Sequence, residues 1–270
     1  MPELPEVETI ARGLAKTVVG KTIESVEIRL AKMVQAPAGV RFGAALRGER
    51  IEAVGRRGKY VVIALGSGRK VVTSLRMTGR MVFQRMEEDD YPGAHVALHY
   101  TDGTRLAFAD VRTFGRMRLV EPGEPWDAAL GVEPLSGGFT PEVFTGMLIG
   151  RKTPIKSLLL DQHRIAGIGN IYACEALWEA GIRPGRPAKA LSKPAIGRLY
   201  HAIRDVLSRA TELRGTSVDD YVDAEGLRGG FQNVLSVYGK LGEPCPRCAR
   251  PIVRTVIAQR GTWWCRSCQR

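Results

Sequence analysis

The chain has no apolar run approaching the roughly 20 residues of a membrane span, and its opening, MPELPEVET, lacks the basic and then apolar order of an export signal. A cytoplasmic protein with no membrane partner is therefore expected. Cysteine is scarce, five in 270 residues, and a chain of this length builds its cores without disulfides. Acidic residues are outnumbered: 28 Asp+Glu against 40 Lys+Arg leave a formal charge of +12. A basic excess of this size suits a polyanionic partner, nucleic acid before others, although a solvated basic surface has the same composition. Repeats and low-complexity tracts are absent. At roughly 100 to 200 residues per domain, two globular units and a small appendage are expected.

Four of the five cysteines crowd into the last 26 residues as Cys245-Pro-Arg-Cys248 and Cys265-Arg-Ser-Cys268, with 16 residues between the pairs. This is zinc-ligand spacing, since each C-x-x-C turns two thiolates toward one ion and the intervening stretch suits a hairpin. Two disulfides are the competing reading, disfavoured in a reducing compartment. With four protein ligands and no open position, one structural Zn2+ is expected rather than a catalytic one. Residues 238–270 also hold seven basic residues against one acid, Glu243. So short a module has little core, so the metal sets its fold and its arginines are free to meet phosphates. The remaining Cys174 lies in an apolar helical stretch and reads as a small core residue.

Hydrophobic periodicity organises the rest. Val7, Ile10, Ala11, Leu14 and Val18 recur at helical steps, and Gly20 ends the pattern. From there to about residue 120 come β-branched runs at 22–28, 51–54, 60–65, 71–75, 95–100 and 105–108. Gly66-Ser67-Gly68 and Thr101-Asp102-Gly103-Thr104 read as hairpin connections, and a sandwich or barrel as the closure. Proline and glycine at 121–134 mark a boundary near 133, and 141–215 reads as helical. Its clearest helix starts after Ser192, with Pro194 in the first turn, and stops at Gly215. The turn Ile165-Ala166-Gly167-Ile168-Gly169-Asn170 either cradles a phosphate at a helix N-terminus or is a plain tight turn. Residues 216–230, with Asp219, Asp220, Asp223, Glu225, Gly226, Gly229 and Gly230, read either as an active-site lid or as a connector.

The opening Met1-Pro2-Glu3-Leu4-Pro5-Glu6-Val7-Glu8 resembles the N-terminal signature of bacterial formamidopyrimidine-DNA glycosylases. Further motifs of that family follow in order: Arg56-Arg57-Gly58-Lys59-Tyr60, Leu75-Arg76-Met77-Thr78-Gly79, Asp110-Val111-Arg112-Thr113-Phe114-Gly115, Gly167-Ile168-Gly169-Asn170-Ile171-Tyr172 and the terminal finger. The resemblance covers the whole chain. It implies an α+β multidomain protein. An N-terminal helix and two-layer β-sandwich carrying catalysis would occupy 1–133, a helical helix-two-turns-helix domain binding DNA 134–237, and a zinc-finger β-hairpin 238–270. It implies a monomer that excises 8-oxoguanine and ring-opened purines from duplex DNA and then cleaves the abasic site by β,δ-elimination.

Carried over residue by residue, the resemblance makes Pro2 the nucleophile once Met1 is trimmed. A terminal α-amine titrates well below a lysine ammonium, so a neutral fraction is at hand. Glu3 becomes the general acid and base, where the residue types alone read it as a helix N-terminal acid favoured by the dipole. Lys59 and Arg260 are the further catalytic cations, the first a proton donor in β-elimination, the second a phosphate fork linked to δ-elimination. Met77, Arg112 and Phe114 would fill the hole left by a flipped nucleotide, although periodicity alone reads Met77 and Phe114 as core. Lys152, Asn170 and Tyr238 match backbone-contact positions, Lys156 a lysine near the lesion pocket, and 216–230 a lesion-capping loop.

The chain departs from the pattern at three places: Thr113 for a second arginine, Ser74 for a histidine, and Gly93-Ala94 for a further histidine. Arg80, Arg116 and Arg118 are the cations that could offset these losses. Two other readings stay open at this point: the pyrimidine-directed sister, endonuclease VIII, and a non-catalytic zinc-stabilised DNA-binding module that has no use for a free Pro2 amine.

Overall fold

The computed structural model describes residues 2–85, 87–217 and 227–270. They form two compact units, one of Met1–Ala128 with Leu213–Gly230, the other of Ala129–Glu212 with Phe231–Arg270.

In the first unit, α1 (Leu4–Val18) buries Val7, Ile10, Leu14 and Val18, the helical stripe legible in the sequence. Pro5 sits in its first turn, where a missing N–H is harmless. The strands form two sheets. One has the order β1 (Ile23–Ile28), β7 (Ala94–Tyr100), β8 (Arg105–Asp110), β6 (Gly79–Gln84). The other runs β2 (Val34–Gln35), β9 (Arg116–Val120), β5 (Lys70–Ser74), β4 (Tyr60–Leu65), β3 (Ile51–Arg57). Ile51, Val61, Ile63 and Val71 from one sheet meet Val96, Leu98, Leu106 and Phe108 from the other in a single core, which makes the pair a β-sandwich. A short helix, α2 (Phe42–Leu46), adds Phe42 and Leu46 to it.

Three strands escape the sequence pattern, one of them, β2, only two residues long. In β6 and β9 the outward positions are held by Arg80, Arg116 and Arg118, so the alternation is of apolar with charged residues rather than a β-branched run. Pairing is antiparallel as expected, except that β2 lies parallel to β9.

The second unit contains α3 (Pro141–Leu148), capped by the Thr140 hydroxyl, α4 (Ile155–Leu160), α5 (Asn170–Glu179) and α6 (Lys193–Glu212). The turn between α4 and α5 is braced by Gln162: its Oε1 accepts from the Gly167 N–H and its Nε2 donates to the Ile168 carbonyl. The hairpin β10 (Val253–Ile257) and β11 (Arg260–Trp264) packs β11 against α5. Cys174 and Trp178 of α5 share one apolar cluster with Val237, Ile252, Cys245 and Cys265. Cys174 is fully buried, and burial pushes its thiol up to about 11, as befits an inert core residue. Among the described residues, no helix is long and apolar enough to cross a membrane.

One polar tie fixes α1 on its sheet. Arg56 of β3 donates through Nε to Glu8 of α1 at 2.9 Å and through Nη1 to the Gly58 carbonyl at 3.0 Å. Burial alone would raise the Glu8 carboxyl, but the bonds and charges of Arg56 and Arg12 outweigh it, so the group lies below the ordinary carboxylate range. A depressed carboxyl contributes stability above its unfolded pKa and loses it as the pH falls through the folded one. Glu8→Gln is accordingly expected to cost about 1 kcal/mol at neutral pH. Urea unfolding should show the gap from wild type closing in acid; a gap that persists there would assign the loss to packing instead.

Candidate active site and metal centre

The N-terminal site is built by the start of α1. Glu3 is the N-cap residue, 3% exposed, and Pro2 beside it is buried as well. Glu6, 1% exposed, holds this end in place. Its Oε2 accepts from the Glu3 N–H at 2.8 Å, and its Oε1 accepts from the Thr216 N–H at 2.7 Å. Thr216 belongs to the stem of the loop read as a lid. In that stem Gly230 donates to the Leu213 carbonyl and Gly229 to the Ser217 hydroxyl. Gly215 has φ +81°, and a Cβ there would stand 2.6 Å from Glu6 Oε1, so a side chain at 215 would dislodge the carboxylate. The centre of the loop, 218–226, with Asp219, Asp220, Asp223, Glu225 and Gly226, lies outside the described residues, as does Met1.

Lys59 is half-buried in the two-residue turn from β3 to β4. The Arg56 bond to Gly58 secures one side of that turn. On the other side Arg57 is paired with Asp127 at 2.9 Å, and the Tyr60 ring meets Trp126 edge-on.

Met77 and Phe114 are not core residues: they are 36% and 53% exposed. Strand periodicity misplaces them because each lies in a loop just past a strand end, between β5 and β6 or between β8 and β9. Arg112 joins them, with Nη1 at 3.4 Å from the Met77 sulfur and its guanidinium 4.9 Å from the Phe114 ring centre. What locks the two loops together is Asp110, a residue no sequence signal singled out beyond its place in the motif. Buried at 1% exposure, it accepts from the Thr78 hydroxyl and the Arg112 N–H on one oxygen and from the Gly115 N–H, at 2.6 Å, on the other. Gly79 closes the first loop: a Cβ there would sit 2.3 Å from the Leu75 carbonyl oxygen.

The cations considered as offsets are engaged within the protein. Arg116 donates to the carbonyls of Thr113 and Gly115, Arg118 pairs with Glu124, and Arg80 bonds the Tyr91 hydroxyl.

In the second unit Lys152 is exposed, whereas Lys156, expected near the lesion pocket, is fully buried. Its Nζ donates to Asn170 Oδ1 and Thr262 Oγ1, both at 2.6 Å, and to the Gly261 carbonyl at 3.1 Å. Asn170 Nδ2 bonds the same carbonyl. The lysine thus fastens the N-terminus of α5 to the hairpin rather than presenting its amine. Periodicity could not show this, because Gly261 and Thr262 lie over 100 residues away. Arg260 stands exposed just after the hairpin turn Ala258-Gln259, whose residues take φ of +51° and +57° without glycine. Tyr238 lies 4.6 Å from Trp263, ring centre to ring centre. Its N–H and those of Ser236 and Val237 converge on the buried carboxylate of Glu175, a second residue the sequence did not reveal. Burial pushes that carboxyl up, and the three N–H groups pull against it.

The sulfurs of Cys245, Cys248, Cys265 and Cys268 lie within 4.8 Å of one another. Zn–S bonds of about 2.3 Å in a tetrahedron set sulfurs roughly 3.8 Å apart; the Cys248–Cys265 and Cys245–Cys268 separations are 3.5 and 3.9 Å. As bare thiols they oppose one another. Despite burial, the Trp178 indole and nearby N–H groups draw Cys245 down to about 6, whereas burial and then its sulfur neighbours push Cys268 up to about 12. A dication among them lets all four ionise together, and the residues fit one structural zinc.

Fold and site define a class: a β-sandwich with a buried N-terminal proline and glutamate, joined to a helical unit that ends in a four-cysteine finger. Comparison with known proteins carries this further. Residues 1–117 match the formamidopyrimidine-DNA glycosylase N-terminal domain, 130–222 the H2TH domain of the same enzymes, and 242–270 the zinc finger found in FPG and IleRS. A formamidopyrimidine-DNA glycosylase of Chloroflexus aggregans is 46% identical over 275 residues, covering 100% of this chain and 98% of the relative. The crystal structure of the Thermus thermophilus MutM (FPG) protein superposes with a TM-score of 0.89 at 43% identity, over 99% of this chain and 98% of that one. A Lactococcus lactis FPG mutant in complex with Fapy-dG-containing DNA gives 0.91 at 34% identity, over 100% of both chains. The chain belongs to the formamidopyrimidine-DNA glycosylase family.

Two outcomes follow from these geometries. Asp110→Asn puts a donor against donors and should cost about 1–3 kcal/mol in chemical denaturation; wild-type stability would remove Asp110 from its locking role. Cys248→Ser should take the zinc content well below one ion per chain by elemental analysis and flatten the near-ultraviolet signal of Trp263 and Trp264, whereas full occupancy would refute the four-sulfur site.

Proposed function

We propose that this chain is a bifunctional DNA glycosylase and abasic-site lyase that removes oxidised purines, 8-oxoguanine and formamidopyrimidines, from duplex DNA. It works as a single chain on the DNA of the cytoplasm. Segment 1–133 performs the chemistry, while 134–237 and the finger 238–270 hold the duplex. The observation that carries this reading is the Pro2–Glu3 pair, buried at the head of α1 and held there by Glu6. A protein that only bound DNA would have no use for it.

Once Met1 is removed, the Pro2 nitrogen is a secondary amine with a lone pair available at neutral pH. That pair forms a bond to C1′ of the damaged nucleotide as the glycosidic bond breaks and its electrons leave with the base, which takes up a proton. The Pro2 nitrogen gives up its proton, Glu3 protonates the sugar ring oxygen, the C1′–O bond breaks to open the ring, and an iminium links Pro2 to C1′. Loss of a C2′ proton expels the 3′ phosphate, a second elimination expels the 5′ phosphate, and water frees Pro2. A one-nucleotide gap with phosphates on both sides remains. Lys59 donates a proton in the first elimination, and Arg260 grips a phosphate with its planar fork. Met77, Arg112 and Phe114 take the place of the extruded nucleotide, Phe114 as wedge and Arg112 toward the orphaned cytosine. Lys152, Asn170 and Tyr238 meet the backbone, and Lys156 positions Asn170. The zinc supplies rigidity and takes no part in bond making.

The test is borohydride trapping on a duplex with 8-oxoguanine opposite cytosine, using protein verified to begin at Pro2. A crosslink at Pro2 is expected. Glu3→Gln should slow base release by about 10²–10⁴-fold and still trap on a preformed abasic site. Binding without any crosslink would overturn the mechanism, and a preference for thymine glycol would move the chain to the pyrimidine-directed specificity.

A further inference from the structure

The loop between β8 and β9 contains a residue that the mechanism above leaves without a task. Thr113 has φ +52°, a left-handed conformation that β-branched residues seldom adopt and that persists only where the surroundings enforce it. Three bonds enforce it here. The Thr113 N–H donates to the Asp110 carbonyl at 2.9 Å, its own carbonyl accepts from Arg116 Nη1 at 3.0 Å, and its hydroxyl accepts from Lys32 Nζ at 2.6 Å.

Lys32 comes from a remote part of the chain, 81 residues earlier. It lies in the 3-10 turn Ala31–Met33 that leads into β2, and the parallel pairing of β2 with β9, Val34 opposite Met117, carries that turn to the foot of the loop. Lys32 is exposed, and among the described residues its ammonium meets a hydroxyl and no carboxylate. The difference is chemical. A carboxylate would orient the ammonium and cancel its charge, whereas a hydroxyl orients it and leaves the charge whole, with two N–H donors still open. The loop that holds Thr113 and Arg112 also carries Val111, 89% exposed, and Phe114, 53% exposed. Exposed apolar side chains beside an oriented, uncancelled cation are what a wedge beside a phosphate requires.

We infer that Lys32, aimed by the strained Thr113, binds a backbone phosphate of the duplex that Phe114 enters. This rests on the function proposed above. It also recasts the loss counted at Thr113: the positive charge is delivered by another element, and the threonine became its holder.

Binding of a lesion-bearing duplex should be measured as a function of salt for wild type, Lys32→Met, Thr113→Val, the double variant, and Lys32→Met with Thr113→Arg. Lys32→Met should weaken binding by about fivefold to tenfold at low salt and lower the log–log salt slope by about one. Thr113→Val should weaken it less, and the double variant should bind no worse than Lys32→Met alone. Arginine at 113 in the Lys32→Met background should return the slope to the wild-type value. A Lys32→Met protein with wild-type melting temperature, affinity and slope would overturn the inference. If instead wild type neither binds the duplex nor traps on it, the parent reading has failed, so the two failures are distinguishable.

Discussion

A carboxylate taken out of water must have its oxygens filled by donors, and the functional surfaces of this protein hang on three that are filled mainly by backbone N–H groups. Glu6 joins the Glu3 N–H to that of Thr216, Asp110 joins the loops of Met77 and Phe114, and Glu175 gathers the N–H groups of 236–238 below Tyr238. In each case the acid touches no substrate in the proposed chemistry. It converts loose chain into a rigid support, because moving the chain would strand a buried charge.

The same economy shows in the cations. Arg56, Arg116 and Lys156 are turned inward onto carbonyls and side chains of their own unit, where they fix the Lys59 turn, the wedge loop and the finger hairpin. Net charge is thus a poor count of the groups left for DNA. Among the exposed cations are Arg112 and Lys32 on one unit and Lys152 and Arg260 on the other, each in a turn, a loop or at a hairpin end. Zinc plays the corresponding part for the finger, where a segment of 33 residues has too little apolar surface to hold Arg260 on a strained turn by itself.

Glu3 shows how two readings of one residue can both be physical. As the N-cap of α1 it sits at the positive end of the helix dipole, the structural role its residue type suggests. Its place beside Pro2 is what brings the same carboxyl into the proposed reaction. Met77 and Phe114 go the other way: their strand-like neighbours point inward, and only the loop geometry turns them out.

What the sequence determined by itself was the chemistry that is local in the chain. The amphipathic stripe of α1, the hairpin punctuation and the two C-x-x-C pairs are legible because their partners lie within a few residues or within one hairpin, so spacing implies geometry; the Pro2–Glu3 start was legible only through its resemblance to a family signature. Only the tertiary structure decided which polar groups are buried and what fills them: Lys156 on Thr262, Glu6 on Thr216, Lys32 on Thr113. These pairs are 106, 210 and 81 residues apart. No periodicity encodes such distances, since a buried hydrogen bond exists only once packing has excluded water around it and brought its two ends together.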